Sequence, residues 1–189
     1  MKNWVKLFEE FIALDEKAGK FPYGCVMLFL EVPGMEALQE KINPDDLMGS
    51  GLEREHHVTL LYGLHDGGEL YPELDKERLD RLIEISHKTA LDTRLYEVSA
   101  FKKADIEVLK FKADNSALHL VNGELTKEFA FTTDYPEYNP HATIAYLKPG
   151  KADLYIDEFR NVELVGKPLA IVYSRPNGEK VEYVLNEPK

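Results

Sequence analysis

The chain has 189 residues, 44% of them apolar, and its 23 Lys and Arg against 34 Asp and Glu give a net charge of −11. This size suits one globular domain, or two small lobes packed together, and excludes two large independent domains. The acidic charge argues against duplex DNA as a partner, because such binding depends on Lys and Arg neutralising phosphates. Any phosphate ligand is therefore expected to be small or held in a local pocket.

The longest apolar run, Cys25 to Leu30, is far shorter than the roughly 20 residues of a membrane-spanning helix, and no secretory leader precedes it. We therefore expect a cytoplasmic protein without a membrane partner. The single cysteine, Cys25, excludes an internal disulfide and a multi-thiolate zinc site. Its apolar neighbours predict an inert, buried thiol.

The first half of the chain alternates helix and strand patterns. Apolar residues at helical spacing predict an amphipathic helix over residues 1–18, ended by Gly19. Turn-forming residues separate the elements that follow, and an acidic turn around Asp45 and Asp46 leads through Gly49-Ser50-Gly51 to the next strand. The predicted elements are a strand over Cys25–Leu30, a short helix over Met35–Ile42, a strand over His57–Tyr62 and a helix over Pro72–Ala90 capped near Asp75.

The second half repeats this recipe. It contains predicted strands over Glu97–Phe101, Ile106–Phe111 and His141–Leu147, a helix over Leu118–Phe129, and two strands after Val162 joined by a two-residue hairpin turn at Asn177-Gly178. Short strand connections mixed with crossover helices favour an α+β fold over an all-parallel doubly wound sheet. The domain boundaries expected are an amino-terminal helix over 1–20 and one bilobal domain over 21–189.

The most informative feature is a repeated motif, His-x-Thr-apolar-x-Tyr, which begins at His57 and again at His141, 84 positions later. In a regular strand His57 and Thr59 share one face, and so do His141 and Thr143. If a rough two-fold axis relates the halves, both imidazoles and both hydroxyls can face one groove. Two copies in predicted strands favour a functional role over two packed histidines.

These four side chains suit phosphodiester cleavage. The reaction needs a base for the attacking oxygen, an acid for the leaving oxygen, and donors to the non-bridging oxygens. Imidazole, with an ordinary pKa near 6.5, can serve as base or acid near neutral pH, and threonine hydroxyls can donate to phosphate. No metal or other cofactor is expected, and His65, His87 and His119 have no partners at ligand spacing.

Other residues near the motifs have simpler interpretations. Tyr62 and Tyr146 follow each His by five positions and should project to the opposite face of a regular strand, where they would pack in the core. His56 should point away from His57 as a solvated or hydrogen-bonded edge residue.

The motifs resemble those of the 2H phosphoesterase superfamily, which includes proteins similar to 2′-5′ RNA ligases and cyclic phosphodiesterases. The resemblance runs from about Phe21 to Leu185 and rests on Glu55–Leu60 and Asn139–Ile144, although His56 stands where many relatives have Pro. It implies a bilobal, duplicated α+β fold with two mainly antiparallel sheets facing a central cleft and helices outside. It also implies metal-independent catalysis, with His57 and His141 as the acid and base and Thr59 and Thr143 holding the phosphate.

A narrower resemblance concerns the residues after each motif. Tyr62-Gly63 and Ala145–Gly150 are similar to phage enzymes, some of which degrade cyclic oligonucleotide messengers of bacterial anti-phage (CBASS) signalling. In such enzymes an aromatic side chain stacks on a base, so Tyr23 and Tyr138 are candidate substrate contacts, with core packing as the alternative. Lys148 and Arg175 could attract phosphate, although surface solvation is the simpler interpretation.

The leading hypothesis is a metal-independent phosphodiesterase for a small nucleotide or cyclic oligonucleotide: 2′,3′-cyclic or 2′-5′ linked, or a cyclic defence signal. One alternative is a module that binds and sequesters nucleotides without cleaving them. A second is an enzyme that processes short RNA ends, which the acidic charge disfavours unless basic residues gather at the cleft.

Overall fold

The computed structural model describes residues 23–67, 71–88, 91–135 and 137–185. The helix predicted over residues 1–18 lies outside the described residues. Among the described helices, none has the length and apolar character needed to cross a membrane.

The described residues form eight strands, four α-helices and one 3-10 helix. The strands are β1 (Gly24–Glu31), β2 (Leu47–Leu52), β3 (His57–Leu64), β4 (Thr93–Lys102), β5 (Glu107–Asp114), β6 (His141–Leu147), β7 (Leu164–Ser174) and β8 (Lys180–Val184). The helices are α1 (Met35–Gln39), α2 (Lys76–His87), α3 (Ser116–Glu128) and α4 (Ala152–Phe159), and the 3-10 helix is Pro44–Asp46.

All strand pairs are antiparallel, in the order β2-β6-β5-β4-β7-β1-β3, with β8 also on β7. The predicted α+β class is therefore confirmed. The two predicted sheets are joined through β7, because residues 164–166 pair with β4 and residues 167–174 pair with β1. We call β3, β1, β7 and β8 the first lobe, and β2, β6, β5 and β4 the second lobe.

Each lobe contains elements from both halves of the sequence. From the first half, α1 and β2 pack against or pair with β6 of the second lobe. From the second half, α3 packs against β3 of the first lobe and against α2, which contacts β7. α4 covers β4 and β5. Each lobe is thus completed by residues that are distant in sequence.

One hydrophobic core connects strands and helices. It contains Leu28 and Val58 of the first lobe together with Leu82 of α2 and Leu118 of α3, all fully buried. Because side chains alternate along a strand, the opposite face carries His57 and its neighbours. The core therefore fixes which face of β3 is available for chemistry.

Side-chain caps define where two of the helices begin. The Asp75 carboxylate accepts a hydrogen bond from the Arg78 amide at 2.9 Å, which starts α2 where the sequence predicted. The Asn115 side chain accepts a hydrogen bond from the Ala117 amide at 2.9 Å and starts α3.

Two local predictions were wrong. The Gly49-Ser50-Gly51 segment, expected to be a connection to the next strand, is itself part of β2, which pairs irregularly with β6 and has φ values of 60° at Gly49 and 73° at Gly51. The hairpin between β7 and β8 has a three-residue loop, since the Arg175 amide donates to Glu179 O and Gly178 alone in that loop has a positive φ.

Candidate active site

The two His-x-Thr motifs share a local backbone geometry. In each strand the fourth residue of the motif is an extra residue with no partner across the ladder, which is a β-bulge. These residues are Leu60 and Ile144. The Cα pairings around them are Thr59 with Met27 and Leu61 with Val26 in one strand, and Thr143 with Lys110 and Ala145 with Leu109 in the other.

The bulges correct the prediction for Tyr62 and Tyr146. Tyr62 pairs with Cys25 and Tyr146 with Val108, and these partners lie on the face that carries the motif His and Thr. Both tyrosines therefore belong to the site face, because the strands are not regular. The sequence holds a signal that could have revealed this, namely the same His-to-Tyr spacing in both motifs.

Each bulge carbonyl accepts a hydrogen bond from a side-chain amide. Asn122 Nδ2, on α3, donates to Leu60 O at 2.7 Å. Gln39 Nε2, on α1, donates to Ile144 O at 2.8 Å. α3, from the second half of the sequence, thus supports the bulge of the first motif, and α1, from the first half, supports the bulge of the second motif. Sequence reasoning missed both amides, since nothing local marks them.

Both histidines are oriented in the same way by the backbone. His57 Nδ1 lies 2.7 Å from Glu55 O, and His141 Nδ1 lies 3.0 Å from Asn139 O. A carbonyl oxygen only accepts, so Nδ1 carries the hydrogen in each ring. Nε2 is then the nitrogen left for a ligand, as an acceptor in neutral imidazole and a donor in imidazolium.

The motifs lie close together, although β3 and β6 are not paired with each other. The two strands are in contact, and the Tyr138 hydroxyl donates to Thr59 O at 2.7 Å, which ties the segment before His141 to β3. The pKa of His141 is lowered to about 4, mainly by burial and also by the positive charges of Lys110 and His57, whereas the hydrogen bond to Asn139 O raises it. His141 is therefore neutral at pH 7 in the free protein.

The two threonine hydroxyls each have a side-chain neighbour. The Cys25 thiol lies beside Thr59, and the Tyr146 hydroxyl lies beside Thr143 and donates to Glu53 Oε2 at 3.3 Å. Cys25 is buried, and burial raises the pKa of its thiol to about 12, so it stays protonated as predicted for an inert cysteine.

The surroundings of the two motifs differ in polarity. Beside His57 and Thr59 lies an apolar patch formed by Cys25, Met27, Ala170 and Val172, with Phe29 and Tyr62 packed against it. Beside His141 and Thr143, β5 instead presents Lys112 and Lys110. An aromatic ring flanks each histidine: Phe29 stacks on His57 with ring centroids 5.6 Å apart, and Phe101 meets His141 edge to face at 5.1 Å.

The predicted substrate contacts have defined positions. The half-buried Tyr23 ring stacks on His65 with centroids 5.6 Å apart and meets Tyr62 edge to face at 6.4 Å. Tyr138 uses its hydroxyl to bind the Thr59 carbonyl, and its ring meets the edge of His119. Contact of either ring with a substrate stays a prediction.

The two candidate phosphate attractors are already engaged. Arg175 is not a solvated surface residue: its guanidinium is largely buried and pairs with the Asp66 carboxylate at 2.9 Å. Lys148 is exposed, and its Nζ donates to Asp45 O at 2.6 Å. Among the residues the structure describes, no group of three or more His, Cys, Asp or Glu side chains is placed to hold a metal ion.

Comparison with known proteins shows similarity at the level of structure alone. No family model and no curated protein sequence matches the chain. The solved structure of Usb1 from Kluyveromyces marxianus aligns over 86% of this chain and 97% of its own, with 11% identity and a TM-score of 0.53. The Thermus thermophilus protein TT0787 aligns over 86% and 95% with 20% identity, but its TM-score of 0.45 is too low to indicate a shared fold.

The alignment with Usb1 covers nearly all of that chain, so it concerns the whole fold and not one motif. Within this fold each His-x-Thr strand has one comparable neighbour, since β3 pairs with β1 and β6 pairs with β5. The structural likeness therefore shows an α+β fold shared with Usb1, and membership of the 2H phosphoesterase superfamily stays a prediction from the two motifs.

Proposed function

We propose that the protein is a metal-independent phosphodiesterase that cleaves a small nucleotide phosphodiester by acid–base catalysis between His57 and His141. The observation that carries the proposal is the matched orientation of the two rings. In both, Nδ1 is committed to a backbone carbonyl two residues earlier, and Nε2 is left for the reaction. Two packing histidines would have no need of this equivalence.

The charges favour one assignment of roles. His141 is neutral at pH 7 because its pKa is lowered to about 4, so its Nε2 can take the proton from the attacking oxygen of water or a ribose hydroxyl. His57, in its protonated form, would give its Nε2 proton to the leaving oxygen as the bond to phosphorus breaks. Solvent then restores both protonation states.

The threonines complete the site. Thr59 and Thr143 are equivalent positions in the two motifs, and their hydroxyls would donate to the non-bridging oxygens as charge develops on them. Tyr146 already contacts Thr143 and would help to orient its hydroxyl. The apolar patch beside His57 would exclude water and offer a surface for a nucleobase, with Tyr23 as the predicted stacking residue.

The experiment is a substrate panel. Purified protein is incubated with 2′,3′-cyclic mononucleotides, 2′-5′-linked dinucleotides and cyclic di- and trinucleotides, and products are separated by chromatography. Cyclic oligonucleotides are included because the residues after each motif resemble phage enzymes that degrade such defence signals, which would be met in the host cytoplasm. We expect cleavage of at least one class, unchanged by EDTA.

The control is a set of histidine variants. We expect His57→Ala and His141→Ala each to lower kcat by about 10²- to 10⁴-fold, and the double variant to be little worse, because acid and base act as a unit. An activity that needs a divalent metal and survives both substitutions would contradict the proposal. Binding of a nucleotide that is always recovered intact would instead establish a sequestering module.

A further inference from the structure

One buried cation lies on the site face of the second lobe. Lys110 is only 9% exposed, and its Cα pairs with that of Thr143 on the neighbouring strand. Its ammonium donates to Ser99 Oγ at 3.0 Å and lies 4.5 Å from the centre of the Phe101 ring. Ser99 is on β4, so the side chain extends away from β6.

Among the residues the structure describes, no carboxylate lies within ion-pair distance of Lys110, although Glu97 attracts it from farther away. Lys112, two positions later on the same face, is different, because its ammonium pairs with Glu97 at 2.6 Å. In a protein with a net charge of −11, a buried ammonium bonded only to a hydroxyl and a ring is costly to keep charged. Such a group is well placed to bind an anion brought by a ligand.

The position of the ammonium separates it from the cleaved bond. A phosphate between the two threonines would lie between β3 and β6, whereas Ser99 lies two strands beyond β6, or roughly 10 Å at ordinary strand spacing. The Phe101 ring contacts both groups: its centre lies 4.5 Å from Nζ and 5.1 Å from the centre of the His141 ring. Lys110 therefore flanks the reaction centre on the His141 side.

We propose that Lys110 and Ser99 form a subsite for a second phosphate group of the substrate, beside His141 and distinct from the phosphate that is cleaved. This inference rests on the proposed function and narrows its substrate class. Preferred substrates would carry at least two phosphates, as do cyclic oligonucleotides and 5′-phosphorylated 2′,3′-cyclic nucleotides. Phe101, which covers the ammonium, is 40% exposed, and exposed side chains change rotamer quickly enough to admit a ligand.

Binding of non-cleavable ligands tests the subsite without any need for turnover. Affinities for adenosine 3′,5′-bisphosphate and adenosine 3′-monophosphate, and for the guanosine pair, are measured by calorimetry at one fixed salt concentration. We expect wild-type protein to bind the bisphosphate of at least one pair about 10- to 100-fold more tightly, as for a charge-assisted hydrogen bond. In Lys110→Met the two ligands of that pair should agree within about threefold.

Lys112→Met is the matched control, since it removes the same charge from the same strand and face but from a lysine already paired with Glu97. Lys112→Met should keep the wild-type preference for the bisphosphate. If that preference came only from general attraction of the more negatively charged ligand, both variants would lose it equally. Thermal unfolding checks that Lys110→Met is folded, and we expect no loss of stability because the buried charge is gone.

Equal affinity of wild-type protein for the members of both pairs, or an unchanged preference in Lys110→Met, would overturn the subsite. Failure of the proposed function would look different, since no ester in the substrate panel would be cleaved while the binding preference remained. With an active enzyme, kcat/KM for a 2′,3′-cyclic nucleotide with and without a 5′-phosphate should show the same dependence on Lys110.

Discussion

The two His-x-Thr strands have nearly the same internal geometry and very different neighbours. Each has a ring tied through Nδ1 to a carbonyl two residues back, a bulge at the fourth position and a tyrosine returned to the site face. Next to Thr59 the adjacent strand presents Met27, whereas next to Thr143 it presents Lys110. The two motifs supply the same chemical groups, whereas the strands beside them differ in charge and polarity.

Under the proposed function, this contrast would let a near-symmetric site assign different roles to its two histidines. Acid and base must differ in protonation, yet both begin as the same side chain in the same local setting. Burial and the cation on β5 keep His141 neutral. Four predictions probe the contrast.

The largest effect is expected when the histidine variants meet a substrate with an easy leaving group. With a nucleoside p-nitrophenyl phosphate the departing oxygen needs no proton, so His57→Ala should stay within about tenfold of wild type. His141→Ala should still lose about 10²- to 10⁴-fold, because the attacking water needs a base. Release of p-nitrophenolate measures both rates, and the opposite pattern would exchange the two roles.

The two motif strands also differ in the space around a glycine near their ends, which is crowded at Gly63 in β3 and open at Gly150 after β6. The φ of Gly63 is +87°, and a Cβ there would lie 1.9 Å from Thr132 O, whose residue donates its amide to Gly63 O. Gly63→Ala should lower the free energy of unfolding by about 3 kcal/mol or more. Gly150, after β6, has φ +80° and open space, so Gly150→Ala should lose only about 1 to 2 kcal/mol. Urea unfolding compares them, and equal losses would refute the steric argument.

The amides that hold the bulges should matter in both lobes. Asn122→Leu and Gln39→Leu each remove a donor to a bulge carbonyl, which should lower the free energy of unfolding by about 1 to 3 kcal/mol. Each should also reduce kcat, because the bulge sets which residues face the site. Leu120→Ala, at an exposed position on α3, serves as the control. Unchanged stability and turnover in both Leu variants would show that the bulges do not depend on these side-chain amides.

The smallest effect concerns pH. The base must be neutral, so kcat/KM should fall as pH drops through the His141 pKa of about 4, well below the limb of an ordinary histidine. Lys110→Met removes a charge that disfavours the imidazolium, so the pKa should rise and the acid limb should move to higher pH. With a substrate that carries a single phosphate, which does not use the Lys110 subsite, the change at any one pH should stay below about tenfold, one pKa unit. An acid limb that stays in place or moves to lower pH would show that Lys110 does not lower the pKa of His141.

Much of this arrangement could be predicted from sequence because its signals are local. The strand borders around His57 and His141, the helix cap at Asp75 and the alternation of polar and apolar residues depend on near neighbours. The resemblance of the motifs to a known superfamily also gave the right fold. The catalytic roles of His57, Thr59, His141 and Thr143 are what the experiments above test.

The remainder depends on distant contacts. A bulge is set by strand pairing, so strict alternation placed Tyr62 and Tyr146 on the wrong face. Glycines within β2 signal a turn locally and form a strand only because β6 lies beside them. α4 was missed because its first turn has no side-chain cap and follows Pro149-Gly150. The roles of Gln39 and Lys110 could not be predicted because they depend on neighbours from other parts of the chain, Ile144 and Thr143.

The shared strand β7 has a consequence for biosynthesis. Residues 164–174 supply a neighbour to both β1 and β4, yet they leave the ribosome after all the other strands except β8. Until they emerge, a nascent chain carries two unsatisfied sheet edges, which are sites for aggregation. Chains stopped before residue 164 should therefore engage chaperones or precipitate, and the protein should complete its fold in a single late step.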